Sequence, residues 1–323
     1  DECLQIREDG ITAPVLLYAG TPSYLASTVV RLQITPTVTD FDAALAFSRV
    51  APDGYGVFVK VDCGLERAGV YAEEALQLVL AVSRLPRIRI AGLYTHMHSG
   101  SGSDEYARWQ FSRFDALLRQ VDQVGIHVPI KLAASSPFIG RYPEMLLNAI
   151  DPGHLVFGLP AGQETTGALG LKPALQALKT RLVQTRTARP RTCFVDEALF
   201  ETKNTPRFGL LPIGWGDGLH RGYGRVGPAL VAGKRTTILG PVHYEHSRVD
   251  LTNLPQAQVG DEVVLLGQQD QQCITVDEIA SLCNILPAQV TGTLSKHMPI
   301  VYFRGCAPSA IVYPARRRDT EPL

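Results

Sequence analysis

Apolar and polar positions follow two different rhythms along this chain. From Val15 to about Ala149, short runs rich in Val, Ile, Leu and Tyr alternate with longer segments whose apolar residues recur every three or four positions. Strands are predicted at Val15–Ala19, Ile34–Val38, Val57–Asp62, Ile88–His96, Val128–Ala134 and near Ala149. Helices are predicted over Ser23–Leu32, Phe41–Val50 with Asp40 as N-cap, Ala72–Leu85, Asp104–Val124 and Pro137–Leu147. The opening Asp1–Gly10 reads as the last turns of a helix, with Gly10 at its C-terminal cap. After a Gly-rich link at Gln163–Gly170 the rhythm changes to short strands separated by Gly and Pro. These are Leu182–Ala188, Phe208–Ile213, Ala229–Ala232, Thr237–Leu239, Glu262–Leu266 and Val290–Leu294, with one helix at Val276–Cys283. Arg316–Leu323 reads as a frayed, solvated tail.

Strand and helix in strict alternation produce a parallel sheet, and the Gly-rich fingerprint of a doubly wound dinucleotide binder is missing. The expected fold class is therefore α/β: a (β/α)8 TIM-type barrel over residues 1–170, followed by a C-terminal all-β domain over 171–323. About six strands are counted where such a barrel has eight. An unclosed barrel exposes two strand edges, so the first strands are expected upstream of Asp1.

The 323 residues are 45% hydrophobic and 19% charged, a composition that supports a sizeable core. Lys+Arg and Asp+Glu balance at 31 each, which argues against nucleic acid or an anionic membrane as partner. Six scattered cysteines without a Cys-x-x-Cys pair favour reduced thiols and a cytoplasmic location. No apolar run approaches the roughly 20 residues of a membrane helix.

Candidate chemistry gathers where the predicted barrel strands end. Gly56-Val-Phe-Val-Lys60-Val-Asp-Cys-Gly-Leu-Glu-Arg67 reads as a strand running into a loop that delivers Arg67, either to a site or to a structural ion pair. Ser136 with the amides of Gly153 and His154 forms either a phosphate seat or an ordinary turn. His98 reads as a solvated or core histidine. His243, Glu245, His246 and Asp250 resemble a metal-ligand set, but alternation on a strand would turn His246 away from His243 and Glu245, and no metal is assigned.

Taken in order, Lys60–Val70, Gly92-Leu-Tyr-Thr-His96-Met-His98, Leu132-Ala-Ala-Ser135-Ser136, Ile150-Asp151-Pro-Gly153-His154-Leu-Val-Phe-Gly158 and Leu211-Pro-Ile-Gly-Trp-Gly-Asp-Gly-Leu-His-Arg221 resemble the landmarks of the alanine racemase family. The resemblance covers nearly the whole chain. It implies pyridoxal 5'-phosphate (PLP) as cofactor, a small amino acid such as alanine as substrate, and a homodimer whose sites are shared with the partner's β domain. It also implies that Arg67 lies near the cofactor and substrate carboxylate, that His96 packs against the pyridine ring, and that Ser135 (asparagine in the family), Ser136, Gly153 and His154 belong to the cofactor site.

Four further positions depart from the family pattern. Asp151 stands where the family has an arginine facing the pyridine nitrogen, which either favours a protonated ring or merely caps a turn. Asp196 stands where the acid/base tyrosine is expected, Tyr244 replaces a methionine beside the substrate, and Lys296 replaces a phosphate-binding tyrosine. The Schiff-base lysine motif Lys-x-Asn/Asp-x-Tyr-Gly-x-Gly does not occur in these 323 residues. Besides racemisation, two alternatives stand open: a PLP-dependent decarboxylase or lyase driven by Asp151, and a catalytically impaired or non-enzymatic relative.

Overall fold

The computed structural model describes residues 1–98, 104–159, 169–189, 207–294, 297–305 and 307–313; Asp196, Lys296 and the 316–323 tail lie outside them. The chain forms two compact units, Asp1–Val156 with Ala161–Leu171, and Phe157–Pro160 with Lys172–Leu323.

In the first unit, β1 (Thr37–Val38), β2 (Tyr55–Asp62), β4 (Ile88–Thr95), β5 (Ile130–Ser135) and β6 (Ala149–Asp151) lie side by side in that order, while β3 (Val70–Tyr71) pairs with the end of β2. Every pairing is parallel. Helices α1 (Glu2–Glu8), α2 (Ala26–Arg31), α3 (Phe41–Val50), α4 (Ala72–Ser83), α5 (Asp104–Gln123), α6 (Ser136–Ile139) and α7 (Gly153–Val156) alternate with the strands. Helix α3 begins as its sequence dictates, with Asp40 Oδ1 accepting the Ala43 amide at 2.8 Å, a cap that contributes about 1 kcal/mol.

Side chains on β2 alternate between two environments. Val57, Val59 and Val61 join Phe47, Val79, Val82, Phe114 and Leu117 in the core between sheet and helices. Phe58 faces the other way, into a smaller cluster with Ala91, Tyr94 and Leu132 that Leu16, Tyr18 and Ala149 complete. A buried inner layer of this kind, on parallel strands whose helices cover the outer face, is barrel architecture.

The second unit is antiparallel. Strands β7 (Leu178–Arg181), β8 (Gln184–Thr187), β9 (Arg207–Leu211), β10 (Pro228–Val231), β11 (Lys234–Leu239), β12 (Ser247–Asp250), β13 (Glu262–Gln269) and β14 (Gln272–Ile274) form one sheet in the order β14-β13-β10-β11-β12-β9-β8, with β7 on β13. Helices α8 (Val276–Cys283) and α9 (Pro287–Gly292) come next, then a separate hairpin of β15 (Ile300–Arg304) and β16 (Ala307–Val312). The core is almost wholly aliphatic, built on Leu211, Leu230, Val231, Val249, Val263 and Ile274. Tyr223 is its polar exception, its buried hydroxyl within hydrogen-bond reach of the Pro228 and Leu265 carbonyls at 2.6 and 2.7 Å.

Several sequence expectations are corrected. Val15–Ala19 contributes an isolated bridge, Leu16 to Thr35, and not a full strand. Pro137–Leu147 is broken into α6 and a 3-10 turn at Pro143–Met145, because Gly140 ends the first and Pro143 cannot continue it. Val290–Leu294 is not a strand: Pro287 opens α9, and the Gln289 side chain accepts the Leu286 amide at 2.8 Å, fixing its first turn. Strand β12 has no counterpart among the strands expected from sequence.

Candidate active site

The charged groups of the first unit converge at the C-terminal ends of its strands, where a barrel presents its loops. Asp62 ends β2 and organises the loop beyond it. Its Oδ1 accepts the amides of Gly64, Leu65 and Glu66 at 2.8, 2.8 and 3.2 Å, and its Oδ2 accepts that of Arg67 at 2.9 Å. Burial alone would raise the pKa of this carboxyl, but the four amides outweigh burial and hold it below the usual carboxylate range. The loop doubles back so tightly that Gly69, at φ +129°, lies where any Cβ would meet the backbone of Val61 and Asp62. Arg67 is thus presented from a fixed backbone, its side chain without an ion-pair partner among the described residues.

Across the sheet, register sets Lys60 of β2 opposite Tyr94 of β4, and Tyr94 opposite Leu132 of β5. Lys60 is 2% exposed, its Nζ 5.2 Å from the Tyr18 ring centroid and 5.3 Å from that of Tyr94. Burial first, then the Arg67 charge, lowers the pKa of this lysine. The Tyr94 hydroxyl receives the Ala19 amide at 3.1 Å and shares a hydrogen bond with Thr37 Oγ1 at 3.0 Å, tying three segments together inside the sheet. Tyr18 packs on Tyr94 with ring centroids 4.7 Å apart. Its hydroxyl is buried and turned toward Asp151 yet completes no hydrogen bond, and burial followed by the Asp151 charge opposes its ionisation.

Ser135 and Asp151 are register partners at the ends of β5 and β6. The Asp151 carboxylate lies 3.8 Å from His96 Nδ1. Burial and the Arg67 charge lower the His96 pKa, so at neutral pH this is a polar contact to a neutral imidazole. Ser136 Oγ accepts the amides of His154 at 2.9 Å and Leu155 at 3.4 Å. The His154 and Leu155 amides are thereby taken up by this serine. Its hydroxyl proton remains available to an incoming acceptor.

Arg67, His96, Ser135, Ser136, Asp151, Gly153 and His154 thus share the strand-end region of the first unit. Lys60, Asp62, Tyr18 and Tyr94 are additional members that sequence reasoning missed. The available signal was the alternation Val57, Val59, Val61 against Phe58, Lys60, Asp62: two ionisable side chains on one face of a buried strand.

In the second unit, Tyr244 stands T-shaped against Trp215 with centroids 4.5 Å apart, both rings exposed. The Gly214-Trp-Gly-Asp217 turn carries that pair: Asp217 Oδ2 accepts the Gly214 amide, and the Trp215 and Gly216 amides donate to the carbonyls of His243 and Tyr244 at 2.9 and 2.8 Å. A Cβ at Gly214 would come within 2.3 Å of both carbonyl oxygens, so the close approach demands glycine. Residues 241–246 are not strand as expected; they form the turn before β12, and the His243 and His246 rings stack at 4.9 Å.

A barrel-type α/β unit with cations and carboxylates at its strand ends, followed by an antiparallel β unit, describes a TIM barrel plus β-domain protein. Residues 1–161 match the family model "Alanine racemase, N-terminal domain", and residues 175–302 match "Alanine racemase, C-terminal domain". Alanine racemase from Desulfovibrio desulfuricans is 33% identical over 306 residues, covering 94% of this chain and 81% of its own length. Alanine racemase 2 from Caldanaerobacter subterraneus is 31% identical, covering 94% and 80%. The solved alanine racemase from Clostridium difficile superposes with a TM-score of 0.85 at 24% identity, over 97% of this chain and 82% of that one. The chain belongs to the alanine racemase family.

Proposed function

We propose that this protein is a PLP-dependent racemase of alanine or a similarly small amino acid, cytoplasmic and acting as a homodimer. The observation that carries the reading is the convergence of Arg67, Lys60, His96, Asp151 and Ser136 at the ends of parallel strands, in a chain whose relatives are named alanine racemases. The scattered cysteine spacing, without a Cys-x-x-Cys pair, supports the compartment. The residues present fit an anionic, ring-bearing aldehyde, because two buried donors, Tyr18 Oη and Lys60 Nζ, lack an acceptor that a bound group would supply.

When bound, PLP supplies an electron sink that stabilises the carbanion left by a departing α-proton. Ser136, through its hydroxyl proton, and the Gly153 amide would hold the phosphate at the turn where His154 and Leu155 donate to Ser136 Oγ, with Lys296 adding a point charge. Arg67, fixed through Asp62, would orient the substrate carboxylate with a bidentate fork. His96 would pack against the ring, with Asp151 setting its orientation. Tyr244 would line the substrate side, and Asp196 would carry a proton at its carboxylate.

The test is to supply the protein with PLP in D2O and follow L- and D-alanine, serine and lysine by chiral chromatography and mass spectrometry. Inversion with deuterium at the α-carbon is expected; retention of configuration for every amino acid overturns the reading. The position of Asp151 beside Tyr18 and His96 favours one alternative, carbanion chemistry leading to decarboxylation or elimination. Release of CO2 or ammonia from the same amino acids, suppressed in Asp151→Arg, would establish it.

A further inference from the structure

We infer that Tyr106 and Trp109, on the opening turns of α5, are positioning residues that fix the loop presenting Arg67. Burial does not shape that loop at its tip, because Glu66 and Arg67 are both exposed. The loop also carries strain. Glu66, immediately before Arg67, sits at φ +57°, in the left-handed region that a residue with a Cβ avoids. A backbone held in such a conformation persists where its surroundings over-determine it.

Asp62 supplies part of the restraint through the amides of Gly64, Leu65, Glu66 and Arg67. The rest comes from α5. Tyr106 Oη donates to the Gly64 carbonyl at 2.6 Å, so the peptide joining Gly64 to Leu65 is held at both ends, its N–H by Asp62 and its C=O by Tyr106. The Trp109 ring lies against Gly64, where a Cβ would come within 2.8 Å of the ring's Cζ3. Gly64 is at φ +120°, a conformation that itself calls for glycine.

The brace is anchored in turn. Tyr106, Trp109 and Arg113 follow one another at spacings of three and four residues, which places them in one stripe along α5. Tyr106 and Trp109 stack with ring centroids 5.3 Å apart, Arg113 lies 4.6 Å from the Trp109 centroid, and Arg113 pairs with Glu73 of α4. Tyr106 also meets His98 edge-on at 6.2 Å, and the His98 amide donates to Gln110 Oε1 at 2.9 Å. The start of α5 therefore touches the segments that follow both β2 and β4, which carry Arg67 and His96. Neither ring is a core residue, at 37% and 45% exposed, so the pair can be altered without opening a cavity.

The consequence for substrate rests on the function proposed above, in which Arg67 orients a carboxylate; the bracing of the loop does not. A loop that loses the Tyr106 hydroxyl keeps Asp62 but offers Arg67 in more orientations, and a carboxylate meets the productive one less often.

The test reads both levels on the 323-residue chain. Hydrogen exchange followed by mass spectrometry compares residues 62–71 in the unsubstituted protein, Tyr106→Phe, Trp109→Ala and, as a control on the same helix, Arg119→Ala, whose partner is Asp115 one turn away. Exchange at residues 65–67 is expected to speed up about fivefold in Tyr106→Phe and further in Trp109→Ala. Arg119→Ala should leave it unchanged, and residues 114–123 should stay protected throughout. With PLP and alanine, KM should rise about fivefold in Tyr106→Phe while kcat changes little, a split that a general loss of stability does not produce. Unchanged exchange at residues 62–71 in Tyr106→Phe, or a loosening that spreads equally through α5, would overturn the inference. Faster exchange confined to the loop with KM unaltered, or with no racemisation by the unsubstituted chain, would uphold the brace and overturn the reading of Arg67 as a substrate group. Tyr106→Phe removes a single exposed-side hydroxyl, so the outcome does not depend on whether Trp109→Ala folds.

Discussion

The interiors of the two units are built from different materials. The core of the second unit is aliphatic, and its one buried tyrosine hydroxyl has two carbonyls within reach. The inner layer of the first unit mixes Phe58, Tyr94 and Leu132 with a buried lysine lacking a counter-ion and a buried tyrosine hydroxyl lacking a partner. Uncompensated burial of that kind costs stability, and a chain retains it where a ligand can supply the missing partners. One interior is a scaffold, the other a site, and the contrast can be broken from either side.

The largest effect is expected in the scaffold. Leu230 sits at the centre of β10, paired with Arg235 on one side and Val264 on the other, and is fully buried. Leu230→Ala should cost about 2–5 kcal/mol in urea denaturation, since a sheet held on both sides collapses poorly around a cavity. A loss near zero would mean that this core is loosely packed.

Next comes the Asp62 loop. Asp62→Ala removes the acceptor of four amides and should cost about 3 kcal/mol, read by chemical denaturation. Asp62→Asn is more informative: an amide oxygen can replace Oδ1 for Gly64, Leu65 and Glu66, but its NH2 would oppose the Arg67 amide. Arg67 should then lose its fixed backbone while the fold survives, so that KM for the amino acid rises more than kcat falls. Because the folded Asp62 pKa lies below its unfolded value, its contribution is complete above pH ~4 and disappears as pH falls through the folded pKa. Asp62→Asn should accordingly flatten the acid limb of the stability curve.

Lys60→Met reverses the sign. Replacing a buried lysine with an apolar side chain of similar shape should stabilise the first unit by about 1 kcal/mol at pH 7, the opposite of what truncation does at Leu230. The lysine's folded pKa is lowered, so its penalty is fully present below that value and vanishes as pH approaches the unfolded value near ~10.4. The stabilising effect of the substitution should fade over the same range. Urea melts at pH 7 and pH 10.5 distinguish this from a simple packing gain, which would persist.

How much of this contrast could be read in advance depends on how local each signal is. Helices α3 and α8 were legible to the residue because Asp40 and Thr275 cap their first turns through bonds made within three positions. The segment Val290–Leu294 misled because Val and Thr favour strands, whereas the deciding bond, Gln289 to the Leu286 amide, lies just before it. Arg67, His96, Ser136 and Asp151 were legible as strand-end residues. Tyr18 was not, since its significance comes from Tyr94 and Asp151, more than seventy positions away. The glycines at 214 and 216 were visible as a motif, but their reason, close approach to the 243–244 carbonyls, belongs to tertiary structure.

The smallest effect sharpens the comparison at the rim of the site. His96 is held neutral by burial and by Arg67, and its folded pKa lies below the ordinary histidine value near 6.5. Above that value neither folded nor unfolded chain carries the proton and the residue is neutral for stability. As pH falls below it, the unfolded chain binds the proton first, so the folded state loses ground until its own pKa is reached. The slope must stay below the ~1.4 kcal/mol per pH unit of one full proton. His96→Gln should remove this slope between pH 6.5 and 5 while leaving stability at pH 7.5 nearly unchanged. If instead Asp151, 3.8 Å away, acts as a true counter-ion to an imidazolium, the same substitution would lower stability most at acid pH, and the order of the two curves would invert.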